Sequence, residues 1–467
     1  MSVSTSHGMR IYKNKMAIDL EARPQNNHYA SLVRNLKVAV VSNFTLESGC
    51  QLSQVPVAYS TWGALNEDAS NVLVVCHALT GSSDIQDWWP SLLGPKKALD
   101  PTRFFIICFN LLGSPYGSAS PLTLDPLTGD PYGPTFPETT LRDDVKIQKL
   151  VLDALGVRQV AAVVGGSMGG QLTLEWPLCT PPGYVKTIIP ISTSAYQSAW
   201  GISWNESLIR CIQADAQFHG GNYGPVPERQ PIQGLGAARM IGMLTYRSCT
   251  SFEARFGRRR VDSKISTNQA TVSRQSLPSP PASDAGDDLS EAVELKKSTG
   301  HTAARPLYTV QSYLHYQADK FLKRFDANCY IHLLRKMDAH DITRDRTDMA
   351  LLPTQAHPDF SSLAHILGSC TTPALIVSID SDILFPPEQQ DLLATYLPDA
   401  QLVKLQSSDG HDGFLLELAA TDQMIRSFLQ QHNPAAFAAA PSDSTEGAAS
   451  ADVGLDSIFG EVDSHFQ

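Results

Sequence analysis

Paired cysteines are missing from this 467-residue sequence: its eight cysteines (Cys50, Cys76, Cys108, Cys179, Cys211, Cys249, Cys329 and Cys370) are scattered, with no CxxC among them. That spacing suits reduced thiols and excludes a disulfide frame or a cysteine zinc site. Long apolar runs are missing too, since no stretch reaches the roughly 18 consecutive apolar residues of a membrane span. The opening MSVSTSHGMRIYKNKMAIDLEARPQ has no apolar signal core, and Asp19 and Glu21 interrupt its basic residues. A soluble, cytoplasmic protein is expected. Positive charge is in deficit, with 36 Lys and Arg against 47 Asp and Glu for a net −11, which argues against nucleic acid as a partner. No GxxxxGK[ST] or GxGxxG stands at a strand end, so no nucleotide cofactor is indicated. Among the 13 histidines there is no tight HxH or HxxxH; His340, His357 and His365 are separated by polar loops, and no metal is expected. No period of 20–50 residues recurs, which excludes a solenoid or propeller.

What is present is enough apolar residue, 42% against 18% charged, to bury a sizeable core. Short apolar runs recur: NVLVVCHAL (71–79), FFIICFN (104–110), AAVVGG (161–166), TIIPIS (187–192), ALIVSID (374–380) and QLVKLQ (401–406). Runs of this length without polar alternation predict strands buried on both faces, hence a largely parallel sheet. Helical patterns lie between them. The clearest is RDDVKIQKLVLDALGV, where Ile147, Leu150, Val151 and Ala154 share a face, acidic residues open the helix and Gly156 closes it. Alternation of the two predicts an α/β fold. From about 196 to 346 the strand pattern gives way to helix-like segments such as NESLIRCIQAD, LGAARMIGMLTYR and VQSYLHYQADKFLKRF. The expected organisation is an N-terminal extension over 1–40 and a split catalytic domain over 41–195 and 347–433. A helical lid over 196–346 would interrupt it, with a disordered Ser/Pro/Asp-rich loop at about 257–305, and a flexible tail would follow over 434–467.

The strongest chemical signal is Gly165-Gly166-Ser167-Met168-Gly169, a GxSxG between an apolar strand and a helix start. A serine on such a turn is forced outward, and small neighbours let backbone segments approach. Alone the pattern could be a packing turn; its strand–turn–helix context favours a nucleophile. A serine hydroxyl is inert at neutral pH, so it needs a base, and the base needs a carboxylate to hold it. Candidates follow in that chain order: Asp380 and Asp382 after one strand, His411 after the next. Both loops fall at C-terminal strand ends, where open α/β sheets place their sites. Local chemistry does not separate Asp380 from Asp382. The backbone amides of Met168 and of Leu79, in the His77-to-Ser82 loop, are the candidate oxyanion donors. His77 precedes the serine at a strand end, which suits structural support of that loop.

The strings CHALTGSS, WWPSLLG, FFIICFNLLGSPYGS, LRDDV, VVGGSMGGQLTLEW, GLGAARMIGMLTYRS, SYLHYQADKFLKRFDANCYI, DSDILFPPEQ and DGHDGFLLE together resemble homoserine O-acetyltransferases over roughly 43–429. The insertion after FGRRR and the ending DSIFGE are similar to the fungal members. One departure is PETTLRDD, where the family often has Gly or Cys beside the Thr. The resemblance implies an α/β-hydrolase fold with a helical lid and a ping-pong transfer of acetyl from acetyl-CoA, through Ser167, to the hydroxyl of L-homoserine, a step of methionine biosynthesis. It maps the triad carboxylate to Asp382 and the histidine to His411. It also carries over two substrate contacts, Arg239 and Asp412, a cation and an anion suited to the two ends of an amino-acid zwitterion; an ion pair inside the lid is the competing reading. Arg247 is a weaker substrate candidate or a lid anchor. Acetyl-CoA would be a co-substrate, with no permanently bound cofactor, and the protein would be a homodimer. Alternatives are a related acyltransferase using serine, another alcohol or succinyl-CoA, an esterase-type hydrolase, and a non-catalytic hydrolase-like binding module.

Overall fold

The computed structural model describes residues 10–13, 16–23, 27–261, 307–346, 360–438 and 441. Ten strands form one sheet: β1 (Arg10–Lys13), β2 (Met16–Ala22), β3 (Lys37–Thr45), β4 (Gln51–Trp62), β5 (Val72–Cys76), β6 (Phe105–Phe109), β7 (Val160–Gly166), β8 (Ile188–Ile191), β9 (Ala374–Ile379) and β10 (Ala400–Leu405). Their order is β1-β2-β3-β4-β6-β5-β7-β8-β9-β10. The pairings from β6 to β10 are parallel, and those joining β1, β2, β3, β4 and β6 are antiparallel.

Each apolar run predicted as a strand is one. β5, β7, β8 and β9 are buried at every residue, because helices cover both faces of a parallel sheet. β10, expected to be equally buried, is only half-buried, since it is the edge strand. Alternate residues feed two cores: Val74, Ile107 and Val163 face one side, and Leu73, Val75, Ile106 and Val164 the other. The antiparallel strands escape the apolar-run signal. β3 carries polar residues on its exposed face, and β4 contains Pro56, paired across from Val40, a residue that argues against a strand when read from sequence.

The helices follow in chain order. α1 (Ile85–Trp88) is one turn, and α2 (Leu141–Ala154) is the predicted periodic helix. Thr140 caps α2 by accepting from the Asp143 amide, and the Asp143 carboxylate returns the bond to the Thr140 amide, which satisfies two donors that a helix start otherwise leaves open. Gly156 follows at φ +85°. α3 (Met168–Cys179) leaves β7 directly. Between β8 and β9 lie α4 (Ala199–Gln213), α5 (Ile232–Tyr246), α6 (Cys249–Arg255), α7 (Thr309–Leu322), α8 (Ala327–Asp338) and α9 (Ser361–Ser369), the first five within the 196–346 span and α9 beyond it. α10 (Pro387–Tyr396), α11 (Gly413–Leu416), α12 (Leu418–His432) and α13 (Pro434–Ala438) complete the chain.

The helical layer is pinned to the sheet domain by buried charge. Lys336 of α8 meets Asp144 of α2 at 2.5 Å with both side chains fully buried. Lys336 Nζ also donates to the Leu112 carbonyl at 2.7 Å, while the Leu112 amide donates to Asp144 at 2.7 Å. Arg142 donates to the carbonyls of Arg344 and Asp341 and pairs with Glu175.

The 1–40 extension supplies β1 and β2 to the sheet and opens β3. The tail begins as α13, held where Arg103 donates to the carbonyls of Ala436 and Phe437 and where Phe437 meets Phe104 edge-on at 5.8 Å. An aromatic and two carbonyl acceptors suffice to dock five residues that composition alone marks as low-complexity. The expected disordered loop falls almost wholly outside the described residues, as does most of the tail. No helix among the described residues is long and apolar enough to cross a membrane.

Candidate active site

Ser167 sits at φ +59°, ψ −127° between β7 and α3, a backbone strain that L-residues tolerate at functional turns. The flanking glycines are steric requirements. A Cβ at Gly165 would lie 2.4 Å from the Gly169 carbonyl oxygen, one at Gly169 would lie 2.2 Å from the Cys76 carbonyl oxygen, and one at Gly166 would lie 2.5 Å from the Phe414 ring. The turn therefore closes only without side chains at positions 165, 166 and 169. The Ser167 amide donates to the Ile191 carbonyl at 2.9 Å, and its carbonyl accepts from Thr193 Oγ1 at 2.7 Å.

His411 lies in a short turn after β10 and is buried. Its Nδ1 donates to Asp382 Oδ2 at 2.7 Å. The other carboxylate oxygen, Oδ1, accepts from the amides of Leu384 and Phe385 at 2.8 and 2.9 Å. Burial pulls the imidazole down, but Asp382, by charge and hydrogen bond, and Asp412 outweigh it and hold His411 above its ordinary value. Asp380, the competing carboxylate, accepts from the Ser407 amide at 3.1 Å and so caps the loop that leads to His411.

Leu79, one of the two expected oxyanion donors, lies in the loop after β5, and Met168, the other, at the first position of α3. The Ala78 carbonyl accepts from His77 Nδ1 at 2.8 Å and from the Gly81 amide at 2.9 Å. A trans peptide is planar, so this carbonyl fixes the Leu79 N–H pointing the opposite way. His77 Nε2 in turn accepts from the Leu111 amide at 3.4 Å, leaving the ring neutral; burial pulls it down to about 4. It supports the loop, as expected. Arg324 adds a tie from the helical layer, donating to the Thr80 carbonyl at 2.9 Å.

The predicted substrate residues have different neighbours. Arg239 of α5 is buried, with its guanidinium carbon 5.0 Å from the Phe321 ring centre and 5.9 Å from that of Tyr246. The Tyr246 ring centre in turn lies 6.4 Å from that of His411, so one aromatic ring neighbours both Arg239 and the histidine. Asp412 meets Arg247 at 3.0 Å, and Arg247 also meets Asp409 at 3.2 Å. Arg247 thus anchors α6 to the histidine turn. The contact is intimate, since a Cβ at Gly410 would fall 2.7 Å from the Ser248 amide nitrogen. Sequence reasoning missed Ser192, whose hydroxyl donates to Asp382 Oδ2, and Arg324; a polar residue directly after a buried parallel strand was the available signal for the first. Among the described residues no group of three or more His, Cys, Asp or Glu is placed to hold a metal.

A family model for the alpha/beta hydrolase fold matches residues 71–418. The chain is 42% identical to the homoserine O-acetyltransferase of Cryptococcus neoformans, covering 95% of this chain and 97% of that one. It is 41% identical to the Saccharomyces cerevisiae protein of the same name, covering 97% and 98%. Among solved structures, esterase E22 superposes with a TM-score of 0.66 at 26% identity, over 84% of this chain and 99% of its own.

Proposed function

The chain belongs to the homoserine O-acetyltransferase family of acyltransferases, built on the α/β-hydrolase fold, and from that premise we propose that it moves acetyl from acetyl-CoA to L-homoserine through an acetyl-Ser167 intermediate. The observation that carries the reading is the 2.7 Å His411–Asp382 hydrogen bond, taken with a strained serine at a glycine-walled turn that Ser192 and its neighbours tie to the same carboxylate. Asp382 fixes the tautomer in which Nδ1 bears the proton, leaving Nε2 as the base.

Ser167 Oγ attacks the thioester carbonyl carbon as His411 takes its proton. The carbonyl oxygen gains negative charge, which the Met168 and Leu79 amides receive. Collapse breaks the carbon–sulfur bond, and His411 returns the proton to the CoA sulfur. The homoserine γ-hydroxyl then gives its proton to His411 and attacks the acetyl carbon; the Ser167 oxygen leaves and recovers that proton. Arg239 takes the amino-acid carboxylate and Asp412, braced by Arg247, takes the ammonium. Acetyl-CoA is a co-substrate, and no permanently bound cofactor enters any step. A homodimer in the cytoplasm belongs to the same reading.

An esterase reading is favoured by the likeness to esterase E22, since the same triad hydrolyses an ester whenever water reaches the acyl-enzyme. The difference is exclusion of water, a role the helical layer between β8 and β9 is placed to serve. The test is the ratio of O-acetylhomoserine formed to CoA thiol released. A ratio near one is expected with acetyl-CoA and L-homoserine; thiol release without the ester would sink the transferase reading. Comparing kcat/KM for serine and succinyl-CoA fixes specificity, since one methylene in a pocket is worth only about 1–3 kcal/mol. By intact mass the protein should gain one acetyl group from acetyl-CoA, and Ser167→Ala should gain none.

A further inference from the structure

The last residue of β8 and the two after it touch every member of the triad. The Ile191 carbonyl accepts the Ser167 amide and Thr193 Oγ1 donates to the Ser167 carbonyl. Between them, fully buried Ser192 turns its hydroxyl to Asp382 Oδ2, the same oxygen that receives His411 Nδ1. Ser192 Oγ is also 3.3 Å from His411 Nδ1. Its backbone is held at φ +47° with the amide donated to the Val377 carbonyl of β9 at 2.8 Å, and the next carbonyl, that of Thr193, accepts from Gln390 at 2.6 Å. A left-handed conformation at a non-glycine residue is strain that persists only where the surroundings over-determine it. Here that strain aims one hydroxyl at one carboxylate oxygen.

We propose that Ser192 is a positioning residue for the acyl-transfer triad: it shares Asp382 Oδ2 with His411, thereby setting both the rotamer of the carboxylate and the basicity of the imidazole. The inference rests on the Ser167-His411-Asp382 reading above. A donor on Oδ2 withdraws negative charge from the oxygen facing His411, so the imidazolium is stabilised less than it would be by a bare carboxylate. Also facing His411 are Asp412, paired with Arg247, and the rings of Tyr246, Phe385 and Phe414. Removing the hydroxyl therefore has a defined sign: the His411 midpoint rises, and the acid limb of kcat/KM rises with it.

Ser192→Ala and Ser192→Gly test this together, because both remove the hydroxyl while glycine also relieves the positive φ. The imidazole midpoint, read from ring-carbon resonances of histidine-labelled protein, should move up by about half a unit or more in both variants. Acetylation of Ser167 by acetyl-CoA in a single turnover should slow about tenfold. The resonance readout needs no substrate, so a failure of acetyl transfer by the unsubstituted protein would count against the proposed function alone. If the His411 midpoint stays within about 0.2 unit of the unsubstituted protein in both variants, Ser192 is only a packing residue and the inference is overturned. A shift in the alanine variant that glycine abolishes would assign the effect to backbone strain, which also overturns it.

Discussion

At Asp382 four donors converge on one carboxylate: two backbone amides on Oδ1, an imidazole and a hydroxyl on Oδ2. Asp382→Asn keeps the volume but puts an amide where His411 expects an acceptor, which favours the wrong imidazole tautomer. Acetylation of Ser167, followed by rapid quench and mass measurement, should fall by roughly three to four orders of magnitude, with the urea midpoint little changed. A loss of less than tenfold would move the orienting role elsewhere. Ser167 and His411 are legible from sequence as candidates because strand-end position and chain order single them out, and the structure shows the His411–Asp382 bond that goes with them. The choice between Asp380 and Asp382 is not legible from the residues, since both follow one strand and only the direction of each side chain, toward Ser407 or toward His411, separates their roles. The role of Ser192 was hidden for the same reason.

Among the elements, the contact between α8 and α2 is the most exacting, because the Lys336–Asp144 pair has no exposed surface to relax into. Lys336→Met leaves a buried carboxylate without its cation and should cost about 3–5 kcal/mol in urea unfolding. Adding Asp144→Asn should recover much of that loss if the cost lies in the orphaned charge, and none of it if the lysine stem is what matters. Helices and parallel strands were readable because periodicity and continuous apolar runs report burial directly. The four antiparallel pairings were not, since Pro56 and the polar face of β3 break the pattern. The acidic start of α2 illustrates a partial reading: Asp143 caps the helix as its position suggests, whereas Asp144 is committed to a lysine 192 residues away.

Over the whole molecule, neutral buried histidines make the fold sensitive to acid. His77 and His340 are each pulled down to about 4, chiefly by burial. In the unfolded chain both protonate near the ordinary value of about 6.5, so the unfolded state binds more protons between those limits. Their contribution is complete above about pH 6.5 and is lost as pH falls toward 4, on the order of 2–3 kcal/mol for each. Urea midpoints measured from pH 7.5 down to pH 4.5 should decline accordingly, and His77→Gln should flatten the slope; an unchanged slope would remove His77 from the account. Net charge, legible at once as −11, contains none of this, because it counts exposed and buried groups alike.

The pairing of β8 with β9 joins Ile188 to Ala374 and Ile191 to Val377, and it is this pairing that brings the carboxylate loop to the serine turn. At the roughly 5–20 residues per second of synthesis, the 374 − 191 − 1 = 182 residues between the end of β8 and the start of β9 take about 10–40 s to appear. For that interval a nascent chain carries the Ser167 turn complete and β8 with one side unpaired. Activity is thereby withheld until the chain is almost finished, and the open side of β8 is the place where a ribosome-bound intermediate would need shielding from other chains.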